Sequence, residues 1–313
     1  MKHNTMHYIL NILIFMLFVI VPSCTHKKDI AKETLHISTH KKNTSIAITA
    51  IDVVIPPPIT IWVHGTILFH KSFYQKIFNN QSRLFLATQL PTDHYFHQLA
   101  KTISQSDPLH FSLEEFYIFS WSGRLSTKDR KIAAEKLHSE LYVLVEQYKQ
   151  KYHCVPTIRI LAHSHGGNVV LHMAKIDPAS PIAIKSLILL ACPVQEKTMH
   201  LINMPMFQHI YSLYSTIDII QVIAPQVRYH VPRYIGRRRY KLPGFSARLF
   251  PPFPHVIQAK IKLNGYPITH TRFSMPDFIE MLPTILQKLD SWDEKIQSEK
   301  IRHKCKLLCI YKN

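Results

Sequence analysis

Residues 158 to 171 run Ile-Arg-Ile-Leu-Ala-His-Ser-His-Gly-Gly-Asn-Val-Val-Leu, an apolar strand pattern that breaks into small residues around one serine and resumes as an apolar helix pattern. A serine at the tip of so tight a strand-to-helix turn is held in a strained backbone conformation. Its hydroxyl is then pushed clear of the sheet, where a substrate carbonyl can reach it. The chemistry open to that hydroxyl is nucleophilic attack and formation of an acyl-serine. Ala162 lies two residues before Ser164 and Gly166 two after, so the pattern is AxSxG, and Gly167 thins the start of the helix further. The chain has only 7 glycines, and two adjacent ones fall here, which argues against an ordinary solvated serine between a strand and a helix.

A serine hydroxyl is a weak nucleophile at neutral pH, so it needs a base to take its proton. The base in turn needs a carboxylate to orient it. Tyr211-Ser-Leu-Tyr-Ser-Thr-Ile-Asp218 reads as a strand ending in an aspartate, which makes Asp218 the candidate acid. Glu196, just past the strand pattern that ends at Cys192, is the alternative acid. With 21 histidines in the chain, only position can select the base. His270 follows the last strand pattern through Asn264-Gly-Tyr-Pro-Ile-Thr and precedes a capped helix, so it falls in a loop. His255 and His230 compete for the role from inside a proline-rich stretch. His163 and His165 flank the serine and are expected to point elsewhere, because neighbours on a tight turn cannot share its face.

Attack on a carbonyl places negative charge on its oxygen, and two backbone N–H groups must await it. One is expected from His165, immediately after the serine. The other is expected from the loop after Thr60-Ile-Trp-Val-His64-Gly65-Thr66, where the Thr66 amide donates and Gly65 permits the close approach. This chemistry calls for no metal and no cofactor. The five cysteines (24, 154, 192, 305 and 309) have neither zinc spacing nor the pattern of a disulfide framework.

Several elements must hold these residues in place. Ile59 to Val63, Phe116 to Phe119, Ile158 to Ala162 and Ser186 to Cys192 have the continuous apolar character of buried parallel strands, and Ile210 to Tyr214 and Ile257 to Leu263 extend the series. Ser126-Thr-Lys-Asp129 resembles a capping box, and Ala133, Leu137, Leu141, Leu144, Val145 and Tyr148 recur on one face of the helix it opens. A last helix starts at Ser274-Met-Pro-Asp277, with Pro283 expected to kink it. Alternating strands and helices predict an α/β fold, a mostly parallel doubly wound sheet flanked by helices. Residues 224–255 break the rhythm with six prolines, so no regular helix can run there. They read as a long loop, with a lid over the site as the alternative.

Taken together, the AxSxG turn, the His-Gly loop, Asp218 and His270 resemble the α/β-hydrolase superfamily. The His-Ser-His-Gly-Gly-Asn run is similar to lipase-like serine esterases, and so is the His64-Gly65 turn, although Thr66 replaces a second glycine. Phe119-Ser-Trp-Ser-Gly123 resembles the segment that helps wall the pocket of such proteins. The resemblance covers about residues 50 to 290. It implies hydrolysis of carboxylic esters, acyl chains of lipids among them, with acyl transfer by the same triad as a close relative. A rival class is a non-catalytic envelope protein that keeps the fold as a binding surface.

The formal charge of +18 is compatible with nucleic acid, an anionic membrane surface or a lysine-rich exterior. No nucleic-acid module accompanies it, which leaves a basic surface facing ester or lipid substrates. Residues 1–24 have the form of a signal peptide, with Lys2 and His3 ahead of an apolar run from Ile9 to Val21 that is too short for a stable span. Val21-Pro-Ser-Cys24 resembles a bacterial lipobox, which makes Cys24 a candidate for lipidation and the cell envelope the expected location. A polar linker over 25–45, a hydrolase domain over 46–293 and a basic tail over 294–313 complete the expected organisation.

Overall fold

A strand covered on both faces must be apolar throughout, and β1 (Ile59–Val63) is enclosed at all five positions. The computed structural model describes residues 56–66, 82–177, 180–223, 226–235, 238–244, 246–299 and 305–310. It sets β1 in a nine-stranded sheet with β2 (Arg83–Leu86), β3 (Phe116–Ser120), β4 (Ile158–His163), β5 (Ile184–Leu190), β6 (Phe207–Tyr214), β9 (Val256–Leu263), β10 (Tyr266–Pro267) and β11 (Cys305–Ile310). The order is β10-β9-β6-β5-β4-β1-β3-β2, with β11 beside β9. β2 and β10 are antiparallel to their neighbours, and the other pairings are parallel. The six strands expected from the sequence are all present.

Alternate side chains leave the sheet in opposite directions and meet different helices. Ile61, Val63, Ile160 and Leu189 pack with α2 (Thr127–Tyr152) and α3 (His165–Met173). Trp62, Leu161, Ile188 and Ile257 pack on the other face with α1 (Tyr95–Ser106) and α5 (Pro276–Glu299). Helices on both faces of a mostly parallel sheet make the α/β-hydrolase fold. Ser126 caps α2 by accepting a hydrogen bond from the Asp129 amide at 3.2 Å, and the predicted apolar stripe of that helix is buried. Pro283 lies inside α5.

Residues 224–255 differ from the expected loop. A short helix, α4 (Ile219–Ile223), leads into β7 (Gln226–Ile235) and β8 (Arg238–Gly244), an antiparallel hairpin separate from the main sheet. Pro232 lies within β7 and Pro243 within β8. In a two-stranded ribbon each strand has an unpaired edge, where a missing N–H is tolerated. Residues 305–310, read as tail, pair in parallel with β9. The signal segment, Cys24 and the linker lie outside the described residues, and no described helix is long and apolar enough to cross a membrane.

Candidate active site

β4 ends at His163 and α3 begins at His165, so Ser164 alone makes the turn. It does so at φ 53° and ψ −130°, a conformation that strains any residue with a Cβ. Two hydrogen bonds hold it there. The Ser164 amide donates to the Leu190 carbonyl of β5 at 2.8 Å, and the Gly167 amide donates to the Ser164 carbonyl at 3.1 Å. Glycine is required by contact: a Cβ on Gly166 would lie 2.4 Å from the Val63 carbonyl oxygen, and one on Gly65 would lie 2.7 Å from the Ser164 Cβ. Ala162, at the first small position, pairs with Val63 and Leu189 inside the sheet, and its methyl group is fully enclosed.

The carboxyl end of β6 delivers Asp218, which is almost wholly buried. Its Oδ1 accepts the Gln221 amide at 2.9 Å, and its Oδ2 accepts the Nδ1–H of His270 at 2.8 Å. Arg248 braces this turn by donating to the carbonyls of Ser215 and Asp218 at 3.1 and 3.0 Å. A carboxylate on Nδ1 fixes the tautomer and leaves the Nε2 lone pair of His270 available to accept a proton. No hydrogen bond joins Nε2 to Ser164 Oγ among the described residues. Such bonds are often formed only when substrate is present.

Glu196, the alternative acid, is exposed, and it is Asp218 that binds His270. His255 donates from Nε2 to the Ile202 carbonyl at 2.9 Å, away from the acid. His230 lies in β7.

His163 does not simply point away from the site. Its Nε2 donates to the His270 carbonyl at 3.2 Å, and the two rings lie 5.0 Å apart. Burial, then the neighbouring His270, pushes its pKa down to about 3, so the ring is neutral. The His64-Gly65 turn is fastened to the Trp121 segment. Trp121 donates its amide to His64 Nε2 at 3.2 Å and its indole N–H to the His64 carbonyl at 2.7 Å, while His64 Nδ1 donates to the Gly65 carbonyl at 2.8 Å. Burial lowers the pKa of His64 to about 4, in keeping with one donor and one acceptor nitrogen. The Phe119-Ser-Trp-Ser-Gly segment thus holds the turn that leads to Thr66. The Thr66 hydroxyl is enclosed without a partner.

His165 opens α3, and its side chain is buried. Three residues on, Asn168 accepts the Thr198 hydroxyl at 2.6 Å and donates to the Pro193 carbonyl at 3.0 Å, tying the loop after β5 to α3. The roles of His163, Trp121, Gln221 and Arg248 were not read from the sequence.

No protein-family model matches the chain, and no curated protein matches it in sequence. Among solved structures, phospholipase PlaB from Legionella pneumophila, in complex with thio-NAD, aligns over 43% of this chain and 25% of its own at 19% identity and a TM-score of 0.25. The product of the gene lin2722 from Listeria innocua aligns over 81% of this chain and 99% of its own, with 12% identity and a TM-score of 0.38. Est1E from Butyrivibrio proteoclasticus, with ferulic acid bound, aligns over 81% and 79% at 13% identity and a TM-score of 0.27. The matched part of this chain spans about a quarter of the PlaB chain.

Proposed function

We propose that the protein is a serine hydrolase of carboxylic esters in which Ser164, His270 and Asp218 act as nucleophile, base and orienting acid. The buried 2.8 Å bond from His270 Nδ1 to Asp218 Oδ2, at the same end of the sheet as a serine with φ 53°, carries this reading. Ser164 Oγ attacks the ester carbonyl carbon while its proton passes to His270 Nε2, and the Asp218 carboxylate stabilises the imidazolium. The oxyanion so formed is held by the amides of His165 and Thr66, with Gly65 letting that turn lie against the serine. Collapse breaks the ester C–O bond, and the leaving alcohol takes the proton from Nε2. Water then attacks the acyl-serine by the same route, releasing the acid and restoring Ser164.

Acyl esters of lipids are the substrates we favour. A net charge of +18 and a segment resembling a lipoprotein signal both fit work at an anionic membrane surface of the cell envelope. A fluorophosphonate probe tests the mechanism directly. Wild type should be labelled covalently and Ser164→Ala should not. Folded wild-type protein that resists the probe would end the hydrolase reading.

A further inference from the structure

Arg130 lies in the first turn of α2, the helix that follows β3, and reaches the loop that leaves β5. Its Nη2 donates to Thr127 Oγ1 at 3.1 Å and to Gln195 Oε1 at 3.2 Å. Both acceptors are neutral. The residue is 3% exposed, its Nε is enclosed with no acceptor, and no carboxylate lies within ion-pair distance of it among the described residues. Asp129, next to it in sequence, sits 3.9 Å from Arg124. A buried guanidinium normally meets a carboxylate, because desolvation of the charge must be offset somewhere.

Three further observations say what is missing. The Arg130 charge acts on His165 at the amino end of α3, where the helix dipole is already positive, so one positive feature acts on another. His165, in the first turn of that helix, has its Nε2 enclosed without a partner, and burial together with the charges of Arg130 and His270 drives its pKa well down. Farther along the same helix face, burial and the charges of Arg130, Lys131, Lys175 and Lys197 lower the pKa of His172 to about 4. Arg130 and three lysines thus place positive charge on this side of α3, the helix whose N-cap is Ser164.

We propose that Arg130, Gln195 and the His165 imidazole form an oxyanion subsite beside the nucleophile, which accepts a phosphate or carboxylate group carried by the ester substrate. The inference rests on the hydrolase reading and narrows it to anionic esters. Arg130 Nε and Nη1 supply the donors, and the neutral His165 ring adds a third from Nε2 in the tautomer that carries its proton there. The substrate's charge completes what the protein leaves uncompensated.

Paired esters that differ only in charge test the subsite. 1-Butyrylglycerol 3-phosphate is compared with 1-butyrylglycerol, and ethyl hemisuccinate with ethyl butyrate, so the two arms separate phosphate from carboxylate. In at least one arm wild type should favour the charged ester by about tenfold or more in kcat/KM, and Arg130→Gln should lose that preference by a similar factor. Arg130→Lys should keep part of it. Equal use of both members in both pairs, or a preference that survives Arg130→Gln, overturns the proposal.

If Arg130→Gln does not fold, inorganic phosphate decides the matter on wild type, where it should slow fluorophosphonate labelling of Ser164. Labelling that phosphate leaves untouched would then count against the subsite. A labelled enzyme indifferent to charge removes only the subsite. Should wild type be neither labelled nor active, the hydrolase reading fails, and phosphate-induced thermal stabilisation of wild type beyond that of Arg130→Lys still reads the subsite without turnover. Its absence overturns the proposal in that case too.

Discussion

The two sides of Ser164 handle buried charge in opposite ways. On the Asp218 side the carboxylate holds an imidazole N–H and a backbone amide, and Arg248 spends its donors on the carbonyls of the same turn. On the Arg130 side a guanidinium equally cut off from water has two neutral acceptors and an idle Nε. The first side is complete within the protein, as a proton relay would be. The second is left open, as a site for a ligand's charge would be.

If the Asp218 side is a proton relay, breaking it should have the largest effects. Asp218→Asn should lower kcat by roughly 10⁴-fold and His270→Ala by a comparable factor, since either change removes activation of the serine. Glu196→Gln and His255→Ala should leave turnover near wild type. Loss in Glu196→Gln with little loss in Asp218→Asn would move the acid to the Arg130 side and dissolve the contrast.

The next effect tests how closely the two turns must approach. An alanine methyl at position 65 would sit 2.7 Å from the Ser164 Cβ and 3.1 Å from the His163 carbonyl oxygen, so either the serine or the His-Gly turn must move. Gly65→Ala should therefore cost roughly 10²-fold in kcat, the scale of a displacement near 1 Å in a reacting group. Near-normal turnover would show that the amide following this turn does not serve the oxyanion.

A smaller effect is expected at His163, whose one hydrogen bond to His270 goes to the backbone carbonyl. Removing the donor to the His270 carbonyl in His163→Ala should lower kcat on the order of tenfold with KM held, and His163→Gln should recover part of the loss. A change in KM alone would mean that the ring lines the substrate path instead of positioning the base.

These contacts mark the limit of what the sequence discloses. Ser164, Asp218 and His270 were legible because each follows an apolar strand pattern, and chain order alone sets them beyond the carboxyl ends of successive strands. The strand β2 and helix α1 were missed. Arg83–Leu86 is partly exposed along one edge of the sheet, and α1 is capped by the His94 ring accepting the Phe96 amide, a signal seldom looked for. The hairpin β7–β8 was hidden because proline within a run argues against a strand. Arg130 reads as one more basic residue in a helix that also carries Lys128, Lys131 and Lys136. Its burial follows from the loop after β5 closing over the start of α2, a long-range contact that no local pattern encodes.

The mildest test acts on stability and uses the open side alone. His172 is 5% exposed, its Nε2 is enclosed without a partner, and burial followed by the surrounding cations sets its pKa to about 4 against 6.5 for the free side chain. Between those values the unfolded chain binds a proton that the folded chain refuses. Stability from this group is therefore present above pH 6.5 and is lost as pH falls toward 4. By pH 5.5 the loss should be on the order of 1 kcal/mol, and His172→Leu should abolish it while remaining folded at pH 7. Urea unfolding of both proteins at the two pH values reads the difference. The comparison becomes sharper if Arg130→Gln is included, because removing that cation should raise the pKa of His172 and shrink the acid loss. An acid loss that ignores Arg130 would leave burial and the three lysines as its causes and would separate His172 from the charge that the anion subsite requires.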